Sequence, residues 1–159
     1  MTRLLGIDLG TRRIGLAVGD TATGSVVALT TIRRADVQRD SRTLVTICRE
    51  QRVDELVVGL PLNMDGSAVP QAESTRDWAM AVSSLTTLPV SWRDERLTTE
   101  DAIARVGAPS RGRAGGPPSA PARRAYRARL DRQAAAAIVQ AEIDGRRAMA
   151  ETGLVQADE

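Results

Sequence analysis

Arg3-Leu4-Leu5-Gly6-Ile7-Asp8-Leu9-Gly10-Thr11-Arg12-Arg13-Ile14-Gly15-Leu16-Ala17-Val18 is the stretch whose reading decides the fold. Arg3 to Ile7 reads as a short buried strand, Thr11 to Arg13 as a tight turn, and Ile14 to Val18 as a second strand. A third strand is expected from about Val26 to Ile32. Gly10, Gly15, Gly19 and Gly24 punctuate the region as turns between antiparallel strands require, so the three strands form a meander.

Downstream the pattern changes period. Val37, Leu44, Ile47 and Cys48 recur among charges over residues 36 to 52, an amphipathic helix, and Glu55 to Leu60 is a buried strand. Pro61 to Gly66 is a loop. Pro70 suits the first turn of a helix carrying Ala72, Thr75, Trp78, Ala79, Val82 and Leu85 at helical spacing. Pro89 to Arg93 reads as a fifth strand, and Thr98 with Asp101 as a capping box for a short helix that Gly107 ends. Residues 108 to 124, rich in Gly, Pro, Ser, Ala and Arg, read as a flexible loop. A last helix is expected from about Arg132 to Met149, with Ala134, Ala137, Ile138 and Ala141 buried and its end near Gly153. A meander followed by alternating helices and strands implies an α/β domain, a mixed sheet covered on both faces, over the single span 1–159.

Composition removes several function classes. The chain has 159 residues, 42% hydrophobic and 26% charged, as in ordinary globular proteins. Its longest apolar stretch, around Leu56 to Leu62, is under half the roughly 20 residues of a membrane-spanning helix. Asp8 stands where a signal peptide keeps its apolar core, so a cytoplasmic protein without membrane contact is expected. Cys48 is the single cysteine and there is no histidine. That excludes Ser-His triads, His-ligated metals and cysteine-held zinc. Hydrolytic chemistry here must run on carboxylates, whose oxygens suit Mg2+ or Mn2+.

Charge is segregated. Between Arg105 and Arg132 eight arginines accompany one acid, Asp131, a local +7, while the rest of the chain carries −5. Such a segment is the electrostatic footprint of phosphate-backbone binding, though arginine-rich loops also occur as solvated surface. Arg123, Arg124 and Arg127 are the candidate phosphate contacts.

Three carboxylates could carry chemistry. Asp8 ends the first strand between glycines that let a ligand approach, and a turn-forming Asp is the plainer alternative. Glu95 follows the fifth strand in Asp94-Glu95-Arg96, which could equally be a salt-bridged rim. Asp131 opens the last helix, where an N-cap Asp is common for structural reasons. Together they could supply oxygen ligands from separate elements to two metal ions about 4 Å apart clamping a phosphodiester. Arg96 and Arg129 stand beside two of these acids to hold phosphate or balance charge. Asn63 and Asp65 could touch substrate but are more simply turn formers.

With these residues in view the chain resembles the YqgF family, also called RuvX, of pre-16S rRNA nucleases and Holliday junction resolvases. Four segments carry the likeness in order: Gly6 to Gly15 with Ala17-Val18, Val57 to Gly66, Asp94 to Thr99, and Leu130-Asp131 leading into Ala134-Ala135. The resemblance implies a ribonuclease H-like fold, with a mixed five-stranded sheet flanked by helices on both faces. It also implies a divalent-metal site at Asp8, Glu95 and Asp131, and a role in maturing the 5′ end of small-subunit rRNA. Related junction resolvases carry an acid at the end of the fourth strand, where this chain has Gly59-Leu60-Pro61, so cutting of branched DNA does not transfer automatically. Arg129 stands where the family usually has lysine, and the chain contains no lysine.

Two other functions remain open. Gly6 to Thr11 also resembles the phosphate loop of actin-like and sugar-kinase ATPases, but 159 residues cannot hold the second domain those enzymes need. A catalytically silent nucleic-acid-binding module would use the arginines and leave the acids to cap and pair. With Tyr126, Trp78 and Trp92 as the aromatics, base stacking contributes little, and recognition would run through backbone and shape. Pre-rRNA or branched DNA is the expected partner, bound by a monomer or homodimer.

Overall fold

A computed structural model of the chain describes residues 1–63, 65, 67, 69–94 and 98–157. The strands are β1 (Arg3–Leu9), β2 (Arg13–Asp20), β3 (Val26–Arg33), β4 (Glu55–Leu60) and β5 (Val90–Asp94), lying side by side in the order β3-β2-β1-β4-β5. β2 is antiparallel to both β1 and β3, while β4 runs parallel to β1 and β5 parallel to β4. The helices among the described residues are α1 (Val37–Gln51), α2 (Pro70–Thr86), α3 (Thr98–Val106) and α4 (Ala120–Ala157).

Alternation along each strand divides the sheet into two cores. Leu5, Ile7 and Leu9 of β1, with Ile14, Leu16, Leu56 and Val58, pack against Leu44 and Cys48 of α1 and Trp78, Ala79 and Val82 of α2. Leu4, Ala17 and Val57 point the other way, onto Ala135, Ala136, Ile138, Val139 and Ile143 of α4. Both faces are therefore covered, as the sequence predicts. Asp36 caps α1 by accepting from Arg39 N at 2.9 Å. The buried Asp40 carboxylate accepts from Ala35 N at 2.9 Å and Trp78 Nε1 at 3.2 Å, tying α1 to α2. Pro70 opens α2, and Gly107, at φ +80°, ends α3 with its N–H on the Ile103 carbonyl. The Thr98–Asp101 capping box involves side chains outside the described residues.

The largest departure is at the C-terminal side. The last helix spans 38 residues, beginning at Ala120 rather than Arg132 and running through Gly153 to Ala157. Residues 120 to 124 are helical, so the irregular segment is shorter than expected and contains a single 3-10 turn at Arg113–Gly115. Ala and Arg are strong helix formers, and Pro121 falls in the first turn where its missing N–H has no intrahelical use. Tertiary bonds fix the extension: Tyr126 Oη donates to the Gly107 carbonyl, and Thr31 Oγ1 of β3 donates to the Ala128 carbonyl. Asp131 is consequently inside the helix and caps nothing.

α4 lies directly on the sheet because its track is glycine. A Cβ at Gly15 would overlap the Asp131 carbonyl, and one at Gly6 would come within 2.6 Å of the Ala135 carbonyl. The two contacts are one helical turn apart, so α4 runs along β1 and β2 with Asp131 at one end of the track.

Candidate active site

The ends of the strands define one edge of the sheet. β1, β4 and β5 are parallel and finish there at Leu9, Leu60 and Asp94, while antiparallel β2 starts there at Arg13. Asp8 is the last residue of β1 on the α4 face, two positions beyond Gly6, and its register partner on β2 is Gly15. Gly15 is also where the Asp131 backbone rests. The close approach of helix to sheet thus brings Asp8 and Asp131 to one place, from elements more than a hundred residues apart in sequence.

Beside them the β1–β2 turn folds tightly. Gly10 N donates to the Arg13 carbonyl at 2.8 Å, and Arg34 Nη1 donates to the Gly10 carbonyl at 3.0 Å. Arg13 donates through Nε to Asp131 Oδ2 at 2.6 Å. A cavity of about 320 Å3 opens here, lined by Gly10, Thr11, Arg12, Arg13, Arg127 and Asp131. Three guanidinium groups around a small polar cavity can bind phosphate oxygens.

The sequence-predicted residues separate accordingly. Asp131 and Arg127 line the cavity, and Asp8 lies next to them by register, opposite the Gly15 on which the Asp131 backbone rests. Arg124 is exposed on the first turns of α4, and Arg123, also exposed, donates to the Pro118 carbonyl at 2.6 Å. Arg129 lies 5.9 Å over the Tyr126 ring, on the side of α4 facing the end of α3 rather than in the cavity. Glu95 and Arg96 lie outside the described residues. Asn63 and Asp65 close a turn, with Asn63 N donating to the Ser67 carbonyl and Ser67 donating through N and Oγ to Asp65 Oδ1. From sequence alone Arg12 and Arg13 read as residues of the β1–β2 turn, and Arg34 has no role. The available signal was strand phase: Arg13 stands two residues before Gly15 and so shares its face.

The donors at this edge are carboxylate oxygens, which hard divalent cations take. Among the described residues no group of three or more carboxylate, histidine or cysteine side chains is placed to hold a metal. Asp8 and Asp131 fit as part of an oxygen set whose third expected member, Glu95, falls beyond them.

A second set of charges anchors β5. Arg93, on the α4 face, pairs with Glu142, which also accepts from Arg146 Nε at 2.9 Å, and Arg146 pairs with Glu55 at the start of β4. Burial pushes the Glu142 carboxyl up, but hydrogen bonds from Arg146 and Arg93 outweigh it, and the net shift is downward. The strand leading to Asp94 is therefore held to α4 by charge as well as by the sheet.

A mixed five-stranded sheet in this order with helices on both faces is a ribonuclease H-like fold. The family model described as RuvX, Holliday junction resolvase, matches residues 2–145, and the chain belongs to that family. Curated relatives named "Putative pre-16S rRNA nuclease" include one from Rhodobacter capsulatus, 47% identical over 60% of this chain and 60% of its own length. Another, from Synechococcus elongatus, is 39% identical over 90% of this chain and 89% of its own. Among solved structures, T. thermophilus RuvC in complex with a Holliday junction substrate superposes with TM-score 0.54 over 92% of this chain and 96% of that one, at 14% identity. That likeness is one of fold.

Proposed function

We propose that this chain, as a single domain over 1–159, is a nuclease hydrolysing phosphodiester bonds in structured nucleic acid, with the 5′ end of pre-16S rRNA as its substrate. The observation that supports the reading is the seating of α4 on Gly15, the register partner of Asp8, with Asp131 lining an arginine-rich cavity. Asp8 and Asp131, with Glu95 as the resemblance implies, would hold Mg2+ or Mn2+. Such an ion, when bound, activates water and offsets charge on the phosphoryl oxygens. The chain's own part is to fix the backbone: Arg12 and Arg127 grip phosphates, and the exposed Arg123 and Arg124 extend the positive surface along α4. Base stacking is not needed for such recognition. The names of the curated relatives favour RNA. The activity belongs in the cytoplasm, in a monomer or homodimer.

One observation favours a silent nucleic-acid-binding module instead: Asp131 already has a cationic partner in Arg13. Purified protein and its Asp8→Asn variant, incubated with a precursor small-subunit rRNA fragment and a four-way DNA junction under Mg2+, Mn2+ or chelator, decide between them. Metal-dependent cleavage lost in Asp8→Asn establishes the nuclease, and the substrate cut chooses RNA or branched DNA. Salt-sensitive binding with no cleavage under any metal establishes the module.

A further inference from the structure

The two sets of ion pairs on α4 are built differently. Glu142 is 9% exposed and held from two sides by Arg93 and Arg146, an arrangement that fixes all three side chains. Among the described residues Asp131 has one cationic partner, and that contact is made through Arg13 Nε rather than through both arms of the guanidinium fork. The two side chains are 33% and 22% exposed and border the same cavity, so a solute can reach both.

Strand register adds the position of the charge. Gly15 pairs with Asp8, and Arg13, two residues earlier on the same face, is the diagonal neighbour of Asp8. The guanidinium bound to Asp131 thus belongs to the strand position diagonal to Asp8. A cation held by Asp131 would have to share that carboxylate with the Arg13 guanidinium. Like charges in so small a space oppose one another. A phosphodiester entering the cavity offers the guanidinium a better-matched partner, because its oxygens accept the two Nη groups that the Asp131 contact leaves unused.

We propose that Arg13 is a displaceable counter-ion: it occupies Asp131 in the ligand-free protein and passes to a substrate phosphate. Nucleic acid and divalent cation then bind this site with positive coupling. The inference rests on the metal site of the nuclease reading and adds to it a residue and a direction. Linkage makes the effect reciprocal, so each ligand tightens the other by the same factor. If Arg13 instead served as a fixed orienting partner for a metal-bound Asp131, its removal would weaken metal binding. The sign of the change separates the two roles.

The test measures Mn2+ affinity by calorimetry, and free Mn2+ by electron paramagnetic resonance, for wild type, Arg13→Gln and Arg13→Lys, each checked for a folded circular dichroism spectrum. Without nucleic acid, Arg13→Gln binds Mn2+ on the order of tenfold more tightly than wild type. Arg13→Lys, which keeps the charge, stays near wild type. Adding a duplex RNA tightens Mn2+ binding by wild type and leaves Arg13→Gln unchanged, after subtraction of the Mn2+ held by RNA with Asp8→Asn protein. Unchanged or weaker Mn2+ binding by Arg13→Gln overturns the proposal, as does coupling that survives in that variant. These outcomes are independent of cleavage. A wild type that cuts RNA while Arg13→Gln binds Mn2+ like wild type refutes the counter-ion and spares the nuclease; coupling without cleavage does the reverse.

Discussion

Gly15→Ala tests whether the approach of α4 to β2 builds the site. A methyl group at Gly15 overlaps the Asp131 carbonyl and stands 2.9 Å from Arg132 N, where ordinary contact begins at 3.4 Å. The obstructing atoms are helix backbone, which no rotamer change can clear, so α4 must retreat by an amount on the order of 1 Å. Overpacking of this kind costs about 1–3 kcal/mol, and a backbone obstacle places Gly15→Ala at the upper end. For a chain of this size that is a fall in Tm of roughly 6–12 °C. The retreat also separates Asp131 from Asp8, and a displacement near 1 Å at a reacting centre costs about a hundredfold in rate.

Gly153→Ala supplies the control within the same helix. A Cβ there meets nothing within 4 Å and the backbone is helical, so the change stabilises by about 0.5–1 kcal/mol. Urea unfolding of both variants, with cleavage assayed well below each midpoint, separates lost folding from lost geometry. Gly15→Ala protein with a wild-type midpoint and wild-type cleavage would refute the claim that helix contact sets the site.

Replacing Arg123, Arg124 and Arg127 with Ala weakens nucleic-acid binding and flattens its dependence on salt. Because Arg123 already serves the Pro118 carbonyl, the slope of log K against log salt should fall by about 2 rather than 3, and an unchanged slope counts against phosphate binding. The Glu142 carboxyl is held below its ordinary 4.5, so its contribution to stability is complete above that pH and drains away as pH falls through the folded value. Glu142→Gln should therefore flatten the acid limb of the unfolding midpoint against pH and cost about 1–3 kcal/mol near neutrality; parallel profiles would disprove the coupling. Burial pushes the Cys48 thiol up to about 11 from 9.0, leaving on the order of a hundredfold less thiolate, so a disulfide reagent near pH 8 should react slowly until urea unfolds the chain. Equal rates folded and unfolded would mean the thiol is not enclosed by the α1–α2 core.

The strands were legible because their signal is local. The apolar runs Leu4 to Ile7 and Ile14 to Val18 read as buried strands without knowledge of any partner, and the structure extends each by a residue or two at an end. The first half of α4 was not legible, because what orders it is remote. Thr31 reaches the Ala128 carbonyl across 97 residues, and neither partner marks a helix in its own neighbourhood. Weighing Gly and Pro in 108 to 124 as signs of disorder also missed that Ala120 to Arg132, taken alone, is dominated by the best helix formers.

The helix boundary bears directly on Asp131. An Asp at a helix start is explained by its hydrogen bonds to the first backbone amides, and such a cap needs no function. Moved to the interior of a 38-residue helix, the same residue loses that explanation, because the amides around it are already used by α4 itself. Among the described residues the carboxylate is held by Arg13, a partner with one contact and a third of its side chain exposed. A purely structural ion pair so exposed contributes at most about 1 kcal/mol, too little to explain a helix seated on glycine to bring its carboxylate there. Whether Asp131 is structural or chemical is therefore decided at Arg13, by the direction in which metal affinity moves when that arginine is removed.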